Sequence, residues 1–134
     1  MKDDVITNKV MVIKRCMERV YEVYAGDAGN LRDFTKQDSI VLNIQRACEA
    51  AIDLAMHVVA EKRLGLPQSS REAFKLLNQN SIIDDSLALR MEAMVGFRNI
   101  AVHDYQSINL AIVEKIIEEH LKDFEVFAEK ILAY

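Results

Sequence analysis

The sequence predicts an all-α protein, an antiparallel helical bundle of four main helices plus a short one. Three observations carry that expectation. Apolar residues recur at steps of three and four along most of the chain, and nowhere do they alternate as strand residues do. The 134 residues also hold only one Pro and four Gly, so little interrupts a helix. A chain of this length is read as one domain, residues 1–134, large enough to bury a core.

The first helix is expected from Val5 to about Tyr24, with Ile6, Val10, Ile13, Met17, Val20 and Tyr24 on one face. Gly26 is its expected stop, and Gly26 to Asn30 a loop. The longest helix follows from about Lys36 to Leu64, ended by Gly65 and Pro67. Its apolar face includes Ile40, Ile44, Ala47, Cys48, Ala51, Leu54, Ala55, Val58 and Val59, several of them small enough for close helix approach. Ser69 with Glu72 three residues on is a capping-box pattern, so a short helix runs through Phe74 and Leu77. Asp84 and Asp85 suit the positive start of the next helix, which runs to about Asp104. Ser107 can cap a last helix with Leu110, Val113, Ile117, Leu121, Phe124, Ala128 and Ile131 inward.

Composition narrows the function. A net charge of −4 argues against a protein that coats nucleic acid by bulk charge, though not against a local site for one RNA strand. No apolar run approaches the ~18 residues a membrane span needs, and Met1 to Asp4 carry no signal-peptide pattern. Cys16 and Cys48 fall at apolar helical positions without metal spacing, which fits buried free thiols in a reducing cytoplasm. No Gly-rich phosphate loop, Ser-His-Asp pattern or Cys-x-x-Cys is present, so no cofactor or metal is expected.

Two groups of polar residues stand out. Glu49, Asp53 and His57 lie four apart on one helix face. Rungs ~6 Å apart on one helix do not converge on a metal. The alternatives are a solvated or inter-helix polar stripe, or a carboxylate, Glu49 or Asp53, that positions an arginine from another helix. The second group is Arg98, Asn99, His103 and Tyr105. At ~100° per residue, Arg98 falls within about 40° of Leu87, Met91, Met94, Val102 and Tyr105. An arginine on an apolar stripe needs a carboxylate or an anion. Glu92, Gly96, Asn99 and His103 share another stripe, where Asn99 can pair with His103 and Gly96 lets something approach the backbone. Arg98 and His103, five apart, do not share a face. They meet at one phosphate only if the arginine reaches round, the helix deforms, or two copies of the chain face each other.

The run Arg98-Asn99-Ile100-Ala101-Val102-His103-Asp104-Tyr105 resembles the Arg-x-x-x-x-His-x-Tyr motif of the HepT toxins, a branch of the HEPN superfamily. The Glu49–Ala55 stretch, Gly65-Leu66-Pro67, Phe74–Leu77 and Met94–Asn99 follow that family's layout. The resemblance implies a homodimeric, metal-independent endoribonuclease, the toxin of a type VII toxin–antitoxin pair. Its partner would be a minimal nucleotidyltransferase antitoxin (MntA) that transfers AMP to Tyr105. Arg98 and His103 would be catalytic, with Asn99, Tyr105, Asp53 and Glu49 in support. The alternative is a non-catalytic helical partner that binds nucleotide or substrate for such a nucleotidyltransferase; a plain structural bundle is the third reading.

Overall fold

The computed structural model describes residues 3–134 and contains no strand among them. Helix α1 spans Asp4–Tyr24, α2 Phe34–Glu61, α3 Ser70–Gln79, α4 Asp85–His103, α5 Leu110–Lys115 and α6 Leu121–Ala133. Short 3-10 turns at Ala28–Arg32 and Tyr105–Ser107 join neighbours, and a π turn at Ile116–His120 links α5 to α6. The expected architecture of four main helices and a short one is therefore present, with the last helix broken once.

Side-chain caps set the helix starts. The carboxylates of Asp3, Asp33 and Asp84 accept from the backbone N–H groups of Val5, Lys36 and Leu87. Each satisfies a donor the first helical turn leaves unpaired. Ser69 does the same for Glu72 at 3.2 Å, while the Glu72 carboxylate reaches back to Gln68 N–H at 3.2 Å. Ser107 does not cap α5. Asn109 does, accepting from Ala111 N–H at 2.8 Å, and the Ser107 hydroxyl donates to Asp104 instead. Helix α2 stops at Glu61, before Leu64, because Arg63 (φ 53°) and Gly65 (φ 146°) turn the chain into the left-handed half of backbone space.

Contacts at the helix ends fix the directions. His57 near the end of α2 meets Asp3 before α1 at 2.5 Å, so α1 and α2 are antiparallel. Tyr105, just past α4, meets Asp38 near the start of α2, so α2 and α4 are antiparallel too. Tyr24 at the end of α1 donates to Glu118 in the π turn at 2.6 Å, which packs the C-terminal arm back along α1. Phe74 and Phe127 stack edge to face, centroids 5.5 Å apart, and lock α3 onto α6. The buried residues form one continuous cluster that includes both free thiols, Cys16 and Cys48. Burial raises the pKa of each thiol, so both are protonated and inert.

The π turn was not legible in the apolar pattern. It places Ile116 and Ile117 both in the core. Beyond it the carboxylate of Asp123 is buried, 3.0 Å from Arg90 Nε of α4 and 3.2 Å from His120 Nδ1. The Arg90 contact lies off the N–H axis, so it is an ion pair rather than a hydrogen bond.

Candidate active site

The site is built on the C-terminal end of α4. Arg98 points at α2, where Nε and Nη2 donate to one oxygen of Glu49 at 3.1 and 2.9 Å. This is the carboxylate that an arginine on an apolar stripe requires, and it comes from the facing helix. Both side chains are only about one-third exposed. Nη1 donates to Asn99 Oδ1 at 3.3 Å. A guanidinium has five N–H groups. Three are thus engaged, and two are left for another acceptor.

The expected pairing of Asn99 with His103 is absent, and of the two carboxylates expected to hold an arginine only Glu49 does so. The side-chain oxygen of Asn99 serves Arg98. Asp53 pairs with Lys9 of α1 at 3.0 Å, one turn of α2 away from Glu49. The line Glu49, Asp53, His57 therefore divides among four partners. His57 contacts Asp3 and, at 2.9 Å, Glu61. The groups that do converge are Asp3, His57 and Glu61, within 4.8 Å of one another. Sequence spacing misses that trio because Asp3 belongs to the cap of another helix. His57 and Glu61 hold the Asp3 carboxyl down at about 2, and the His57–Asp3 contact ties the start of α1 to the end of α2.

His103 is the last residue of α4, and its ring is exposed, with no hydrogen bond or ion pair among the described residues. The helix stays regular to that point. His103 therefore lies about 140° around from Arg98 and ~7 Å along the axis. Asp104 (φ −152°, ψ 60°) leaves the helix and places Tyr105 in the following 3-10 turn. The expected continuation of the Arg98 stripe through Tyr105 therefore ends at Val102, the last stripe residue inside α4. Tyr105 is 39% exposed, and its hydroxyl donates to Asp38 Oδ1. Desolvation and the Asp38 carboxylate push its pKa up to about 12.

The stripe of His103 carries a cation that the sequence did not identify. A Cβ on Gly96 would lie 2.9 Å from Arg71 Nη2 of α3. The close approach expected at Gly96 is thus made by Arg71, whose Nε donates to the Glu92 carbonyl at 3.4 Å. Lys75 stands 3.7 Å from the Glu92 carboxylate on the same side. The acidic Glu92 is thereby offset by Lys75, and Arg71 places a second cation beside it. Beside this end of α4, Met94, Phe97, Ile100, Ile112 and Ile116 line an apolar groove of about 450 Å³. Ile100 and Ile112 are 44% and 52% exposed.

A helical bundle with Arg98, His103 and Tyr105 gathered at one helix end is of the HEPN type. Residues 13–131 match the profile described as Ribonuclease HepT-like, and the chain belongs to that family. It is 50% identical over 131 residues to the mRNA nuclease HepT of Shewanella oneidensis, covering 98% of each protein. It is 29% identical over 91 residues to the tRNA nuclease HepT of Aphanizomenon flos-aquae, which is 68% of this chain and 62% of that one. Among solved structures, it superposes with a TM-score of 0.94 on a tri-AMPylated S. oneidensis HEPN toxin in complex with MNT antitoxin. That toxin is 51% identical, with 99% of this chain and all of that one covered. A toxin–antitoxin crystal structure with AMP-PNP superposes equally well, at 50% identity and 98% coverage of this chain.

Proposed function

We propose that this chain is the toxin of a type VII toxin–antitoxin pair, a metal-independent endoribonuclease that a nucleotidyltransferase antitoxin silences by adenylylating Tyr105. It acts in the cytoplasm, where RNA and a nucleotide donor are at hand. The observation that carries the reading is the end of α4. Arg98 is braced by Glu49 with two N–H groups to spare, and His103 and Tyr105 stand exposed within one turn of each other. The relatives named as nucleases and as an AMPylated toxin support it.

The chemistry uses what RNA itself provides. The substrate's 2′-hydroxyl attacks the adjacent phosphorus, and the 5′-oxygen leaves with the other strand segment. His103 accepts the 2′-proton or returns one to the leaving oxygen. The spare N–H groups of Arg98 bind the phosphate oxygens, whose charge grows in the transition state. Glu49 fixes the guanidinium and Asn99 steadies its outer edge, so both are positioning residues. Asp53, bound to Lys9, serves the scaffold. DNA, which lacks the nucleophile, is spared. AMP on Tyr105 adds bulk and negative charge at the same helix end, where it covers His103 and competes for Arg98.

The 140° between Arg98 and His103 on a regular helix favours a homodimer, in which each copy completes the site of the other. The exposed Ile100 and Ile112 beside the motif provide apolar surface for such a contact.

The test is cleavage of single-stranded RNA in the presence of a chelator. Wild type cuts RNA and leaves DNA of the same sequence whole. Arg98→Ala and His103→Ala each lose about 10²-fold or more in rate, with helix content and thermal midpoint unchanged. Undiminished cleavage by either variant overturns the catalytic assignment; loss of cleavage with chelator overturns metal independence.

A further inference from the structure

The hydroxyl of Tyr105 has one hydrogen-bond partner among the described residues, and it is a carboxylate from a different helix. Asp38 sits in the second turn of α2, and its Oδ1 accepts the phenolic proton. Both side chains are exposed, so an incoming enzyme and its nucleotide can reach the pair. The other acids near this turn are engaged or turned elsewhere: Asp104 accepts from Ser107 at 2.5 Å, and Glu49 holds Arg98. His103 makes no hydrogen bond with the hydroxyl. A phenol donating to an anion keeps its proton in the resting protein, which agrees with a pKa raised to about 12. A protonated phenol is a poor nucleophile toward phosphorus. It must lose its proton as it attacks, and a base already in hydrogen-bond contact is placed to take it.

We propose that Asp38 is the general base for adenylyl transfer to Tyr105, so that the toxin supplies part of the chemistry of its own modification. This rests on the reading that Tyr105 is the modified residue. In the step, Tyr105 Oη forms a bond to the α-phosphorus of ATP. The bond from that phosphorus to the bridging oxygen of the β-phosphate breaks, and pyrophosphate leaves with the electron pair. The phenolic proton passes to the Asp38 carboxylate and from there to water. Electrostatics run the same way. The approaching triphosphate and the Asp38 carboxylate are both anionic, and protonating Asp38 during attack removes that repulsion as the transition state forms.

The experiment measures the rate at which the purified nucleotidyltransferase antitoxin transfers AMP from α-labelled ATP to the full-length toxin. Wild type is compared with Asp38→Asn, Asp38→Glu and Tyr105→Phe. Asparagine keeps an oxygen that can accept the hydrogen bond but cannot take the proton, so it separates proton acceptance from positioning. The expected result is a kcat lower by about 10²-fold or more for Asp38→Asn, with KM for ATP and for toxin unchanged. Asp38→Glu recovers much of that rate. An Asp38→Asn rate within about threefold of wild type overturns the proposal and assigns the base to the antitoxin. A raised KM and lower thermal midpoint with normal kcat also overturn it, by reducing Asp38 to a tie between α2 and the turn. Label on Tyr105→Phe at the wild-type rate is a separate failure, that of the modification reading itself.

Discussion

At the scale of single residues, Gly96 decides what lies against the His103 face of α4. It is helical, and a side chain there would meet only the tip of Arg71, a flexible group that can swing away. Gly96→Ala is therefore expected to stabilise the fold by about 0.5–1 kcal/mol, the ordinary gain of alanine over glycine inside a helix. The same change evicts the Arg71 guanidinium from the face that RNA would approach. The expected outcome is a higher thermal midpoint with weaker RNA binding and a shallower salt dependence, read by unfolding and by titration at two salt concentrations. A drop in midpoint would show that Arg71 braces the helix more than glycine weakens it. Much of this neighbourhood was legible in the sequence. Arginine among Leu87, Met91 and Met94 demanded an anion, and Glu49 was one of two carboxylates on a facing helix that could provide it. Asp38 was not legible, because an acid near a helix start is what the dipole favours anyway, and nothing in its spacing pointed to Tyr105. Arg71 was announced only by the absence of a side chain at Gly96.

At the scale of elements, caps and starts could be read from Asp84 and Ser69, while breaks could not. The π turn at Ile116–His120 leaves the apolar steps of three and four intact to the eye, since Val113, Ile117 and Leu121 still fall four apart. The expected end of α4 near Asp104 matches the structure, and only Tyr105, counted onto the Arg98 stripe, falls beyond it, because no breaker between His103 and Ser107 marks the turn. The junction of α1 with α2 depends on charge at the Asp3, His57 and Glu61 trio, and its pH dependence has a definite sign. The folded pKa of Asp3 lies near 2, below the ordinary aspartate value of 3.8, so its contribution is complete above that value and is lost as pH falls from 3.8 through 2. Asp3→Asn removes this contribution. Its stability should lie below that of wild type at pH 5 and converge on it near pH 2, as followed by denaturant unfolding at each pH. Equal stability at pH 5 would mean that the trio is solvated and ties nothing.

At the scale of the whole molecule, the question is whether one copy holds a complete site. Arg98 is anchored inward on Glu49 and His103 faces out, about 140° apart on an unbroken helix. For a single phosphate to take both from one chain, the free edge of Arg98 would have to reach round the helix or α4 would have to deform. In the proposed homodimer, two copies packed through the exposed Ile100 and Ile112 region would bring the Arg98 of one toward the His103 of the other. Mixed dimers separate these arrangements. Arg98→Ala and His103→Ala are each inactive alone. When they are unfolded together and refolded at equal amounts, half the dimers carry one of each. If sites form across the interface, each mixed dimer keeps one intact site, and activity returns to about a quarter of wild type. If each chain works alone, every site lacks a residue and the mixture stays silent. Sedimentation of the mixture confirms that the subunits exchanged, and Ile100→Asp in both chains should abolish the recovered activity together with the dimer.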